Sequence, residues 1–210
     1  MGEIGLRKGW HIAVLNIRHF ALPHIGLCLL LFGICHVLFG SSRLDSQTVM
    51  TVLQYFAVLT GVILLTPLTA PEQTSELEQL MRTKATSYAY VLLLRAIYSL
   101  IALSLLLGGY GGLLYGLDSA IELPTLAGTL ATAVLLGGLS LLVAAVSHQV
   151  VAGYMSAAVL YMLALFAGER LGVFQLFATG KISYSDKLWH AAVGLACITA
   201  ALIYKCKRSS

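Results

Sequence analysis

Six long apolar runs, at residues 22–39, 49–66, 90–107, 125–146, 151–167 and 188–204, constrain this chain more than any other feature. Each is close to or within the roughly 17 to 25 residues that carry a helix across bilayer hydrocarbon. No water is present there to satisfy backbone amides, so such a run must close its hydrogen bonds within itself as a helix. Composition agrees, with 59% hydrophobic residues, 10% charged residues and a mean hydropathy of +0.88, outside the range of soluble domains. The expected fold class is an all-α integral membrane protein of about six transmembrane helices in one transmembrane domain, residues 1–210. The remaining segments are too short for a soluble core, so any enzymatic engine belongs to another chain or lies within the membrane.

Orientation follows from the 13 Lys and Arg residues. With the N-terminus inside, Arg7, Lys8, Arg18, Arg82, Lys84, Arg95, Lys205, Lys207 and Arg208 fall at the inner side, leaving Arg43, Arg170, Lys181 and Lys187 for the outer loops. This bias places a multi-pass protein in the plasma membrane with both termini cytoplasmic, and makes the net charge of +4 a matter of topology rather than nucleic-acid binding. Cys28, Cys35 and Cys197 sit in apolar runs and Cys206 in the tail, so no extracellular disulfide framework is implied. The first run begins at Leu22 and five more follow, which is not the layout of a cleavable signal peptide.

The segments between the runs have their own patterns. In 6–21, Leu6, Trp10, Ala13, Val14 and Ile17 share a helical face, opposite Arg7, Lys8, His11 and Arg18. This suits an interfacial elbow helix with Trp10 at headgroup depth and Arg7, Lys8 and Arg18 toward anionic lipid, turned at Pro23; a basic tail is the plainer reading. Segment 69–88, TAPEQTSELEQLMRTKATSY, opens with Thr69 and Glu72 at capping-box spacing and Pro71 between them. Leu77, Leu80, Met81, Ala85 and Tyr88 then recur at helical spacing, and Glu78 precedes Arg82 by four residues. Either a linker on the headgroups or a helix docked on a partner fits this pattern.

Residues 108–123 read as a flexible glycine-rich loop, with Pro124 in the first turn of the fourth span. In 168–187, Leu171, Val173, Phe174, Leu176 and Phe177 are too apolar for a solvated loop and too few to span. A re-entrant helix turned back near Gly180 and a loop packing its aromatics on neighbouring spans both satisfy this. Small residues crowd the fourth and fifth spans, from Ala127 and Gly128 to Gly153 and Ala157, and favour close helix contacts.

Side chains suited to chemistry are few. Arg95 is the one charged residue expected inside a span, where snorkelling to the inner headgroups competes with a gating or pathway role shared with Phe174 and Phe177. No carboxylate falls mid-span, which weighs against proton- or sodium-coupled transport. His24, His36 and His190, with Cys28 and Cys35, raise a haem or metal site as an alternative. Cys28 and Cys35 are about 10 Å apart by helical rise, so one helix cannot close such a site. The pair Gly180-Lys181 is followed by Ile182 and lacks a leading glycine at Gln175, so it is no phosphate-binding loop, and no G-x-S-x-G or H-E-x-x-H occurs. No catalytic or metal-binding residue is assigned.

The order of parts resembles the permease subunits of the ATP-binding cassette (ABC) type-2 transporter family. The residues that carry this are the amphipathic N-terminal segment, two spans, the Pro71-Glu72 pair followed by SELEQLMRTKATS, and a third span beginning YAYVLLLR, with a semi-apolar segment before the last span. The resemblance implies an exporter in which two such permeases, as a homodimer or heterodimer, join two ATPase subunits. ATP and Mg would be bound on those partners and no cofactor on this chain. It also implies that 69–88 is the coupling helix seated on the ATPase, with Glu72, Glu76, Leu77, Glu78, Leu80, Met81, Arg82 and Lys84 as contacts. Where the family often has a proline after this helix, Ala85-Thr86-Ser87 stands here. The sparse charges suit a hydrophobic or amphipathic cargo, and the alternatives are a membrane haem or metal protein and a membrane scaffold or sensor.

Overall fold

The computed structural model describes residues 22–40, 42–72, 88–168, 170, 175–177 and 184–209, and every regular element among them is helical. Six helices are long and apolar enough to cross a membrane. They are α1 (Leu22–Phe39), α2 (Ser46–Ala70), α3 (Tyr88–Gly116), α4 (Leu123–Ser147), α5 (Val150–Ala167) and α6 (Tyr184–Ser209). α1 coincides with its apolar run, and the other five helices extend past theirs. The expected elbow helix at 6–21 and residues 73–87 of the expected coupling helix at 69–88 lie outside the described residues.

α4 is the axis of the bundle: 72% of its apolar window is buried, against 17% for α1 and for α5. Small and hydroxylated residues on all its faces allow this, because they let neighbouring backbones approach closely. Where α2 crosses, a Cβ on Gly61 would run into the Ala133 carbonyl, and one on Gly137 into the Gly61 carbonyl. Where α6 crosses, a Cβ on Gly138 would meet the Gly194 carbonyl, and one on Gly194 would lie 2.7 Å from the Leu135 nitrogen. Both crossings therefore require glycine. α5 packs against α4 through Gly153, while α1 lies against α2 and α3 at the edge.

α2 changes its winding along its length. It is α-helical over Ser46–Thr51, π-helical over Val52–Ala57, α-helical again over Leu59–Leu65 and 3₁₀-helical over Thr66–Glu72. The last stretch corrects the capping-box expectation. Thr69 lies within a continuing helix rather than at the start of a new one, and its buried hydroxyl has no hydrogen-bond partner among the described residues.

A second correction concerns 108–123. Gly108 to Gly116 are helical and complete α3, because Tyr110 and Leu114 bury their side chains and packing outweighs the low helix propensity of glycine. The short 117–122 connection is tied to the 40–45 connection. Arg43 N–H donates to the Leu117 carbonyl and Ala120 N–H to the Leu44 carbonyl, each at 3.0 Å, and Leu44 N–H donates to Ser119 Oγ at 3.3 Å. At the start of α2 the Thr48 hydroxyl donates to Asp45, holding that carboxyl below the usual carboxylate range. These two connections mark one end of the bundle, and segment 69–88 leaves from the other.

Candidate functional site

At the end from which 69–88 leaves, α2, α3 and α4 meet in a buried polar junction. Thr66 Oγ1 donates to the Val62 carbonyl at 2.6 Å and pairs with Ser140 Oγ of α4. Both residues are fully buried. Two residues on, Leu68 is buried and its carbonyl accepts from Arg95 Nη1 of α3 at 3.5 Å. Arg95 is 5% exposed, buried against the end of α2. Tyr88 lies about two turns before Arg95 along α3. Lys205 of α6 is also buried at this end, 3.5 Å from Nδ1 of His148, the left-handed residue (φ 57°) that closes α4.

A second polar cluster lies toward the opposite end. Lys187 of α6 runs its stem along Gly128 and reaches Thr132, one turn deeper along α4. Its ammonium donates to Thr132 Oγ1 at 3.1 Å and to the Leu176 carbonyl at 2.9 Å. Thr132 Oγ1 also donates to the Gly128 carbonyl at 2.9 Å and lies 3.2 Å from His190 Nδ1. A hydroxyl has one proton and two lone pairs, so with its proton on Gly128 it accepts from both Lys187 and His190. His190 then carries a proton on Nδ1. Thr132 and His190 are almost fully buried and Lys187 is 9% exposed.

The residue beside Leu176 adds an aromatic lock. Phe177 stacks on Tyr55 at 4.4 Å between ring centroids and meets Tyr161 edge-on at 5.3 Å. The Tyr161 hydroxyl donates to the Tyr55 carbonyl at 2.7 Å, within the π-helical stretch of α2. Residues 175–177 are thereby attached to α2, α5 and α6 together. Irregular winding of this kind is common at functional positions in helices.

Of the residues singled out in the sequence, Arg95, Phe177 and His190 are in these two regions. The backbone of Glu72 ends the 3₁₀ stretch. Glu76, Leu77, Glu78, Leu80, Met81, Arg82 and Lys84, together with Arg7, Lys8, Trp10, Arg18 and Phe174, lie outside the described residues. Lys187 was assigned to an outer loop and is instead inside α6, buried. The signal for its site was present: Thr125, Thr129 and Thr132 recur on one face of α4, and Lys187 and His190 are three apart on α6.

Among the described residues the histidines do not converge. His24 and His36 are about 18 Å apart along α1 by helical rise, and His190 is engaged with Thr132. Among the described residues no three His, Cys, Asp or Glu side chains form a metal-ligand set.

No protein-family model, curated protein or solved structure matches this chain.

What the arrangement offers is mechanical. Two buried cationic side chains, Arg95 and Lys187, each clamp a backbone carbonyl to a neighbouring helix. One carbonyl lies in the 3₁₀ end of α2 and the other in residues 175–177.

Proposed function

We propose that this chain is the permease subunit of an ATP-driven transporter of the type-2 kind, exporting a hydrophobic or amphipathic molecule. In this reading 69–88 is a coupling helix on the cytoplasmic side, seated on a separate ATPase, and a second permease completes the pathway. The observation that carries it is the buried base of that segment. Thr66, Leu68 and Thr69 are fixed against α4 and Arg95 rather than left at a helix end in headgroups. A push on the segment therefore enters the bundle at its most buried helix. Passive linkers need no such footing.

The mechanism is a change of packing. ATP binding on the partner moves the seated helix, and rigid helices joined through glycine crossings shift together instead of bending. At the far end, the Leu176–Phe177 segment is the closure that this shift releases, with Phe177 and Arg95 as the described members of the pathway set. Under this reading the far end faces outward and both termini face the cytoplasm.

The test is purification of the tagged chain from its own membranes in mild detergent. An ATPase subunit should accompany it, and replacing Leu77 and Leu80 by Asp should abolish ATP-dependent transport without unfolding the spans. If the doubly substituted protein keeps its ATPase and transports normally, the coupling assignment is wrong. A haem absorption band or stoichiometric metal in the pure protein would turn the reading toward a redox or metal function.

A further inference from the structure

A lateral groove of about 360 Å³ opens between α1 and α3, toward the end of the bundle away from 69–88. Phe32, Gly33 and His36 line it from α1, and Leu105, Gly109 and Tyr110 from α3. Its floor is the Phe32–Tyr110 stack, with ring centroids 4.3 Å apart and planes within 5°. Two features set it apart from an ordinary lipid-facing crease.

The first is space without repulsion. A Cβ on Gly33 or on Gly109 would meet nothing within 4 Å, so the trough exists because both helices carry glycine where they face each other. The second is polar. Tyr110, 7% exposed, lines the trough from α3, and the exposed His36 lines it from α1. Facing hydrocarbon, a phenol and an imidazole gain from an oxygen-bearing partner, because no water there hydrates them. Both groups line one otherwise apolar trough.

We propose that the groove holds one single-chain amphiphile from the surrounding leaflet, with an oxygen-bearing headgroup against Tyr110 and His36. Its tail lies along Leu29 and Leu105. The layout fits that shape. His36 is three residues from the end of α1 and Leu29 is two turns deeper, so polar groups face the headgroup level and apolar ones the bilayer centre. The volume falls at the lower end of ligand sites, about 300 to 1,000 Å³. A helix is about 10 Å wide with its side chains, which makes an extended chain the better occupant than a neighbouring span. The site does not depend on the permease reading, since its readout is binding.

The experiment uses the full chain in phosphatidylcholine nanodiscs with a photoreactive diazirine analogue of palmitic acid, mapping adducts by mass spectrometry. Adducts should concentrate on the peptides spanning 29–36 and 105–113. Gly33→Leu and Gly109→Leu, which fill the trough, should lower them at least tenfold, while Gly108→Leu, outside the lining, should leave them unchanged. Tyr110→Phe retains the ring stack and should weaken labelling several-fold, which keeps the test valid if a leucine variant fails to fold. Labelling spread evenly over all six helices, or unchanged in Gly33→Leu and Tyr110→Phe, would mean annular lipid only and overturn the proposal. Disulfide dimers through Gly109→Cys in place of adducts would assign the groove to a second copy and overturn it equally.

Discussion

The Lys187 ammonium reaches inward to Thr132 rather than outward from the nearer end of α6, joining α6, α4 and the Leu176 carbonyl through two hydrogen bonds. A buried cation held by a hydroxyl and a carbonyl, with no salt bridge among the described residues, depends heavily on both acceptors. Thr132→Val keeps the shape of the side chain and removes the shared oxygen, leaving Lys187 one acceptor. It should lower unfolding stability by about 1 to 3 kcal/mol. Lys187→Met removes the charge together with its requirement and should cost less. Denaturant unfolding of the two single variants and the double variant checks this. Effects that add to within about 0.5 kcal/mol would mean that the two residues are not coupled.

The same clamp holds Leu176, which is 1% exposed. In a background with Cys28, Cys35, Cys197 and Cys206 replaced, Leu176→Cys should react slowly with a membrane-impermeant thiol reagent. Adding Lys187→Met should raise that rate by about an order of magnitude, because opening is set by the free energy of local release. An unchanged rate would show that the aromatic contacts of Phe177 hold the segment without the lysine.

Glycine substitutions should divide by position. Gly61→Ala and Gly138→Ala place a methyl against backbone carbonyls of α4 and α6, which cannot yield as a side chain would. A loss of about 1 to 3 kcal/mol is expected from such overpacking. Gly112→Ala meets nothing within 4 Å, and alanine favours a helix by up to about 1 kcal/mol. Thermal melts in one detergent compare them. A similar shift in all three would remove the crossing argument.

The number and positions of the spans were legible because hydrocarbon imposes one pattern, a long apolar run. Where helices leave hydrocarbon that pattern ends and the helix does not. α6 begins at Tyr184 while its apolar run begins at Leu188, and that difference placed Lys187 in a loop. The same cause extended α2 through Thr69. The glycines of α3 were read for their backbone freedom, whereas Leu114 and Tyr110 beside them supply the packing that keeps the helix wound. Contacts such as Thr66 with Ser140, 74 residues apart, depend on which helix becomes the axis, and one sequence does not carry that information locally.

That pair supplies the last prediction, which rests on the permease reading. Thr66→Val and Ser140→Ala each break the hydrogen bond that ties the base of 69–88 to α4, and each should cost about 1 kcal/mol. Together they should cost little more than either alone, since one bond is shared. If this link transmits force, ATP turnover per purified complex should fall several-fold in both variants while the ATPase still co-purifies. Normal turnover at reduced stability would leave the bond a role in packing only and move the transmitting contact to Arg95 and Leu68, the other tie at that end.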